Sequence, residues 1–239
     1  MSATLQLPIA VLAGGLATRL RPVTETIPKS LLEISGEPFL AHQLRLLEKR
    51  GAKRVVLCVG HLGERIRDWA GDGSRFGLQV DYSFDGAVLR GTGGALRQAL
   101  PLLGDRFLVV YGDSYLTCDY LAVERAFLDS GKSALMTVYR NEGRWDTSNV
   151  EYANGRILSY DKQHRTPRMA FIDYGLGAFH SSVFDKVSET ERIDLAAIYQ
   201  RALNEDQLAG FEVLERFYEI GSFEGLHALE EYLSRASLA

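Results

Sequence analysis

The sequence predicts an α/β fold: a mainly parallel sheet with helices on both faces. Three observations predict it. Short apolar runs, rich in β-branched residues, alternate with stretches of helical spacing through the first half. Glycine follows each of the clearest runs, as Ala13-Gly14-Gly15 after Leu12, Gly60 after Val59 and Gly112 after Tyr111. The chain has 239 residues, 46 % of them hydrophobic and 24 % charged, enough to bury a substantial core.

In chain order, Ile9–Leu12 is a short apolar strand. Phe39–Arg50 places Leu40, Leu44 and Leu47 on one helical face, and Gly51 stops it. Arg54–Val59 is a β-branched run and Leu78–Ser83 a further strand. Ala95–Leu103 reads as a short helix with Leu96, Leu100 and Leu103 inward. Phe107–Tyr111 is a buried-strand run, and Asp119–Leu128 a helix. The second half shortens its strands: Ala134–Arg140, Ser148–Glu151, Ile157–Tyr160 and Tyr174–Phe179, with Asn154-Gly155 as a hairpin turn. Asp194–Asn204 and Phe223–Arg235 read as helices, and Gly210–Leu214 with Arg216–Ile220 as a last strand pair. No repeat, low-complexity stretch or Pro/Ser-rich linker interrupts the chain. Residues 1–239 therefore read as one Rossmann-like domain, with a phosphate-handling front half and a smaller, β-rich, substrate-binding rear half.

Net charge is −4 and the pI about 5.8, against the basic balance of most nucleic-acid binders. Cys58 and Cys118 have no zinc-ligand spacing and read as reduced thiols of a cytoplasmic protein. The first residues lack the basic and apolar regions of a secretory leader. No stretch approaches the roughly 20 apolar residues of a membrane span.

The strongest chemical signal is Leu12-Ala13-Gly14-Gly15-Leu16-Ala17-Thr18-Arg19. Paired glycines after a strand let backbone N–H groups approach a polyphosphate, and Arg19 brings a planar, multi-donor cation. The alternative is a surface turn with a solvated Arg. Neither Gly-Lys-Ser/Thr nor Gly-x-Gly-x-x-Gly follows, which sets aside a Walker loop and a dinucleotide site. Lys29, after Pro28, offers a second mobile charge.

Together these segments resemble the sugar-1-phosphate nucleotidyltransferase family, whose glycine-rich loop with Thr-Arg is followed by Pro-Lys. Heptose- and mannose-1-phosphate guanylyltransferases are similar in the form Gly91-Thr92-Gly93-Gly94-Ala95. The resemblance implies that Leu12, Ala13, Gly14 and Gly15 cradle a nucleoside triphosphate, with Arg19 and Lys29 gathering its phosphates. It implies that Gly91, Thr92 and Gly93 lie against the base and ribose, and that Asp113 in Gly112-Asp113 holds Mg²⁺. In the rear half it places Lys162 on the sugar phosphate and Asp173 and Gly175 against the sugar. Glu219 stands where relatives carry Asp as a second metal ligand. Asp113 as a turn residue and Glu219 as a helix cap are the bland alternatives.

The implied reaction makes an NDP-sugar and pyrophosphate, with GTP and heptose or mannose 1-phosphate favoured. Relatives that use UTP, CTP or dTTP share these loops, which keeps open a cytidylyltransferase acting on a non-sugar phosphate such as phosphocholine. Departures from the family pattern at Ala17, Ser114, Gln163 and Glu219 keep open a catalytically silent relative that binds nucleotide sugars and regulates a partner.

Overall fold

A computed structural model describes residues 4–15, 20, 22–86, 88–188 and 190–236. The front half runs β1 (Ile9–Leu12), a small hairpin of β2 (Glu33–Ile34) and β3 (Glu37–Pro38), α1 (Phe39–Lys49), β4 (Arg54–Val59), α2 (Gly63–Ala70), β5 (Gln79–Phe84), α3 (Gly91–Leu103) and β6 (Arg106–Tyr111). The rear half follows with β7 (Ser114–Leu116), α4 (Tyr120–Ser130), β8 (Ala134–Arg140), β9 (Val150–Ala153), β10 (Arg156–Tyr160) and β11 (Phe171–His180). It closes with α5 (Leu195–Asn204), β12 (Leu208–Val213), β13 (Phe217–Glu219) and α6 (Phe223–Ala236).

Strands β5, β4, β1 and β6 lie side by side and parallel, so their carboxyl ends share one edge. β11 then pairs antiparallel with β6, Leu176 opposite Val110. Beyond β11 the sheet divides, β8 and β12 forming one branch and β9 and β10 the other. Side-chain alternation sends Ile9 and Val11 to one face, where Leu40 and Leu44 of α1, Ile66 of α2 and Val123 of α4 cover them. Ala10 and Val109 face the other way, onto Leu96 and Ala99 of α3 and Ile198 of α5. This is the α/β architecture, a mostly parallel sheet between helices, that the sequence predicts.

Asn154 and Gly155 turn the β9–β10 hairpin at φ 52° and 75°, the paired positive values a tight two-residue turn requires. The expected pairing of the last two strands is corrected. β12 instead runs parallel to β8, Leu208 opposite Ala134, and β13 pairs antiparallel with β7, Glu219 opposite Ser114. Between them Glu215 takes the N–H of Leu214 onto its own carboxylate at 3.2 Å, and the chain crosses from one sheet to the other. α3 begins at Gly91, four residues earlier than its apolar spacing suggests. There the Ile193 carbonyl accepts from Gly93 N–H at 2.9 Å and Gly94 N–H at 3.3 Å, which holds a glycine-rich first turn.

Candidate active site

The glycine loop leaves the end of β1 at the parallel edge, where such sheets take their ligands. The Ala13 N–H bonds to the Cys58 carbonyl at 2.8 Å, so the strand direction persists into the loop. From the other side the Gly112 N–H bonds to the Leu12 carbonyl at 2.9 Å. A Cβ on Gly112 would stand 2.7 Å from that carbonyl oxygen, so glycine is required where the two loops touch. Arg19 lies outside the described residues, with Leu16, Ala17 and Thr18.

Lys29 and Asp113, 84 positions apart, meet at this edge: Lys29 Nζ donates to Asp113 Oδ2 at 2.8 Å. Pro28 sets the entry to the short helical turn Lys29–Leu31 that aims the lysine. The Asp113 side chain is 40 % exposed and that of Lys29 18 %, so water screens the pair and it contributes at most about 1 kcal/mol. The lysine can therefore move to another anion at small cost. Gln43 of α1, 1 % exposed, steadies the turn that carries Asp113. Its Nε2 donates to the carbonyls of Tyr111 at 3.0 Å and Ser114 at 2.8 Å. The signal for it was available, since Gln43 lies three residues after Leu40 and four before Leu47 on the buried helical face.

Glu219 reaches the same place through β13. The N–H of Ile220 bonds to the Asp113 carbonyl at 2.9 Å. The Glu219 carboxylate is folded onto the start of α6, accepting from the Gly221 N–H and from Ser222 Oγ. Ser222 Oγ accepts the Gly225 N–H at 3.0 Å, so serine caps the helix and the glutamate braces the cap. Among the described residues no three His, Cys, Asp or Glu side chains gather as a ready-made metal site. Two carboxylates, Asp113 in the turn before β7 and Glu219 at the end of the β13 strand that pairs with β7, beside a cation already drawn to one of them, nevertheless fit Mg²⁺. That ion takes one or two protein carboxylates and completes its shell with water and phosphate oxygens.

The rear-half residues converge on the end of β6 from the opposite side. Asp173 accepts from the Gly175 N–H at 3.1 Å and from Tyr160 Oη at 3.4 Å, and its own N–H donates to Asn149 Oδ1 at 3.0 Å. Burial pushes the Asp173 carboxyl up from the usual range, while the charge of Lys162 and the Gly175 N–H pull it back. Lys162 Nζ lies 5.7 Å from the centre of the Tyr111 ring, two residues before Asp113. Among the described residues the buried Tyr111 hydroxyl has no hydrogen-bond partner. Gly175 sits at φ 99° in β11, where the pairing with β8 shifts register. Asp161, beside Lys162, serves as a turn former, accepting the N–H groups of Gln163 and His164.

The Gly91-Thr92-Gly93 segment is more structural. Thr92 Oγ1 accepts the Leu195 N–H at 2.7 Å, which helps start α5. A Cβ on Gly91 would stand 2.6 Å from the Ile193 carbonyl oxygen. The glycines admit the 191–195 strap against α3, and the Gly93 and Gly94 amides are already paired there. Sequence reasoning missed Asp85, a buried acid directly after β5. Its signal was an acid ending a strand run before a glycine, the mirror of Gly112-Asp113. Its charge, after burial itself, pushes the Cys58 thiol up to about 12.

Comparison with known proteins finds relatives in sequence and in fold. The nucleotidyl transferase family profile matches residues 9–235. A UTP–glucose-1-phosphate uridylyltransferase of Synechocystis is 29 % identical over 201 residues, covering 77 % of this chain and 52 % of that protein. The chain thus spans about half the length of that relative. A D-glycero-α-D-manno-heptose 1-phosphate guanylyltransferase of Campylobacter jejuni is 28 % identical over 191 residues, covering 80 % of this chain and 83 % of that one. In fold, HddC from Yersinia pseudotuberculosis, crystallised with GMP-PN, superposes with a TM-score of 0.78 at 22 % identity. That superposition covers 95 % of this chain and 100 % of the other.

Proposed function

Since the chain belongs to the nucleotidyl transferase family, we propose that it joins the nucleotidyl group of an NTP to a sugar 1-phosphate and releases pyrophosphate. The donor is GTP and the acceptor heptose or mannose 1-phosphate, handled by one domain in the cytoplasm. The observation that carries the reading is the Lys29–Asp113 contact at 2.8 Å, at the edge where the glycine loop, the Glu219 strand and the Lys162 and Asp173 side chains converge. The base choice draws on the heptose guanylyltransferase relative, and the uridylyltransferase relative supports UTP as a second reading.

The chemistry follows from charge. A phosphate oxygen of the acceptor, already ionised at neutral pH, attacks the α-phosphorus. The bond from that phosphorus to the β-phosphate oxygen breaks, and pyrophosphate leaves opposite the attacking oxygen. No general base is required, so the protein contributes position and neutralisation of charge. Arg19 and Lys29 draw the triphosphate to the glycine loop, Lys29 exchanging Asp113 for phosphate. Lys162 holds the acceptor phosphate, while Asp173 and the Gly175 backbone orient the sugar hydroxyls. Asp113 and Glu219 would hold Mg²⁺, which supplies positive charge against the phosphate oxygens and favours the leaving group.

The test is pyrophosphate release with Mg²⁺ across the common NTPs, each with hexose, heptose and amino-sugar 1-phosphates and with phosphocholine. Release that requires both GTP and a heptose or mannose 1-phosphate is the expected result. Silence across the panel, alongside tight nucleotide-sugar binding, would replace the enzyme with a binding protein.

A further inference from the structure

We propose that a cleft at the amino ends of β6, β8 and β12 binds a phosphate group, as a second anion site separate from the glycine-loop edge. The inference stands apart from the transfer reading, because none of its residues belongs to that edge.

β11 runs antiparallel to β6 and β8, so its last residue, His180, lies opposite Arg106, the first of β6. Ala134 of β8 and Leu208 of β12 start beside them. The six residues of β6 separate this end from Tyr111 by about 17 Å. Two adjoining clefts open here, of about 170 and 100 Å³, and Ser133 and Ser182 line both. Each is well above the roughly 10–15 Å³ that one water needs, so a tetrahedral oxyanion has room.

The lining is rich in unspent donors. Arg106 and Lys132 line the larger cleft with His180, and Arg201 lines the smaller with Gln207. Arg106 is exposed and makes no side-chain hydrogen bond or ion pair among the described residues. Arg201 Nη1 is buried and, among those residues, has no partner either. The two serines orient their neighbours. The Ser182 N–H donates to His180 Nδ1 at 3.1 Å, and Ser182 Oγ lies 2.8 Å from the same nitrogen. Nδ1 is therefore the acceptor, and in the neutral ring Nε2 carries the proton. Ser133 Oγ donates to Gln207 Oε1 at 3.0 Å, which leaves the Gln207 NH₂ as a donor.

Charge says which ligand. Among the described lining residues Glu205 alone carries a carboxylate, and Lys186 holds it at 2.8 Å. Lys132 is matched by Asp206 at 3.0 Å. Two guanidiniums, Arg106 and Arg201, remain without a bonded anion. A phosphate near neutral pH carries close to two negative charges and offers several strong acceptor oxygens, which guanidinium forks meet two at a time. A leftover buried N–H on Arg201 costs free energy until its side chain turns onto such an acceptor.

Calorimetry without Mg²⁺ tests this with inorganic phosphate and with glycerol phosphate, on the wild type and on three variants. We expect saturable binding of one anion per chain with a Kd of about 1 mM or tighter. Arg106→Gln and Arg201→Gln should each weaken it by about tenfold, as loss of a charged hydrogen-bonding partner does. Lys29→Met, at the other edge, should leave it unchanged. Tighter binding of inorganic phosphate would mark the free ion as the ligand, and tighter binding of glycerol phosphate a phosphate ester; either supports the site. No saturable binding of either anion, or binding lost in Lys29→Met and kept in Arg106→Gln, would overturn it. Arg106→Gln decides even if Arg201→Gln does not fold, because the exposed Arg106 side chain holds nothing in place.

Discussion

At the scale of single residues, the Lys29–Asp113 pair concentrates the proposed chemistry in two partly exposed side chains. Asp113→Asn and Lys29→Met should each lower turnover by about a hundredfold or more, since each removes charge placed for the transition state. Both variants should melt within a few degrees of the wild type, because a solvated ion pair adds little stability. Near-normal turnover in folded Asp113→Asn would contradict the role. Asp173 makes a pH prediction. Burial raises its pKa above the ordinary 3.8, so the native state keeps a proton that the unfolded chain releases. The stability tied to this group falls as pH rises from the unfolded value through the raised one. Asp173→Asn removes that slope and should gain urea resistance relative to the wild type across this window; parallel pH profiles would contradict it. Lys29, Asp113, Lys162, Asp173 and Glu219 stand out in the sequence because each lies in an ordered motif, and their roles are proposed. Gln43 and Asp85 carry only weak signals, a place on a buried helical face and an acid ending a strand run, because polar residues at such positions are usually solvated and the packing buries these two.

At the scale of elements, β11 joins the two halves. It lies between β6 and β8 and carries Gly175 at a positive φ and Gly177 where a side chain would collide. The Tyr199 hydroxyl of α5 fills the space a Cβ on Gly177 would need. Gly177→Ala should therefore cost about 1–3 kcal/mol by overpacking, read as a lowered urea midpoint at constant m-value. No change in midpoint would mean that α5 packs elsewhere. Strong periodicity made β1, α1, β4 and β6 readable, and the Asn154-Gly155 turn fixed its hairpin. α2 was not readable, because only Gly63, Ile66 and Ala70 of its eight residues are buried. The partners of β12 and β13 were misjudged because proximity in sequence favours a hairpin, while the free side of β8 and the strand β7 offered longer-range ladders.

At the scale of the whole molecule, front and rear share one sheet through the β6–β11 ladder, and the proposed site lies where they meet. Urea unfolding should accordingly appear as one transition by circular dichroism and by tryptophan fluorescence, with Trp69 in the front half and Trp145 in the rear as reporters. Two separated transitions would split the chain into independent units. The α/β class was legible from alternation and glycine placement, which also put the proposed site at the parallel edge. The division of the sheet beyond β11 was not, since it depends on pairings distant in sequence. Among the described residues no helix is long and apolar enough to cross a membrane.

The most direct measurement is phosphorus NMR of the protein with Mg²⁺, GTP and heptose or mannose 1-phosphate. The account predicts that the triphosphate resonances give way to the coupled pair of a sugar diphosphate and to free pyrophosphate, in the wild type and not in Asp113→Asn. Release of orthophosphate, or an unchanged triphosphate in the presence of the acceptor, would contradict transfer at the α-phosphorus.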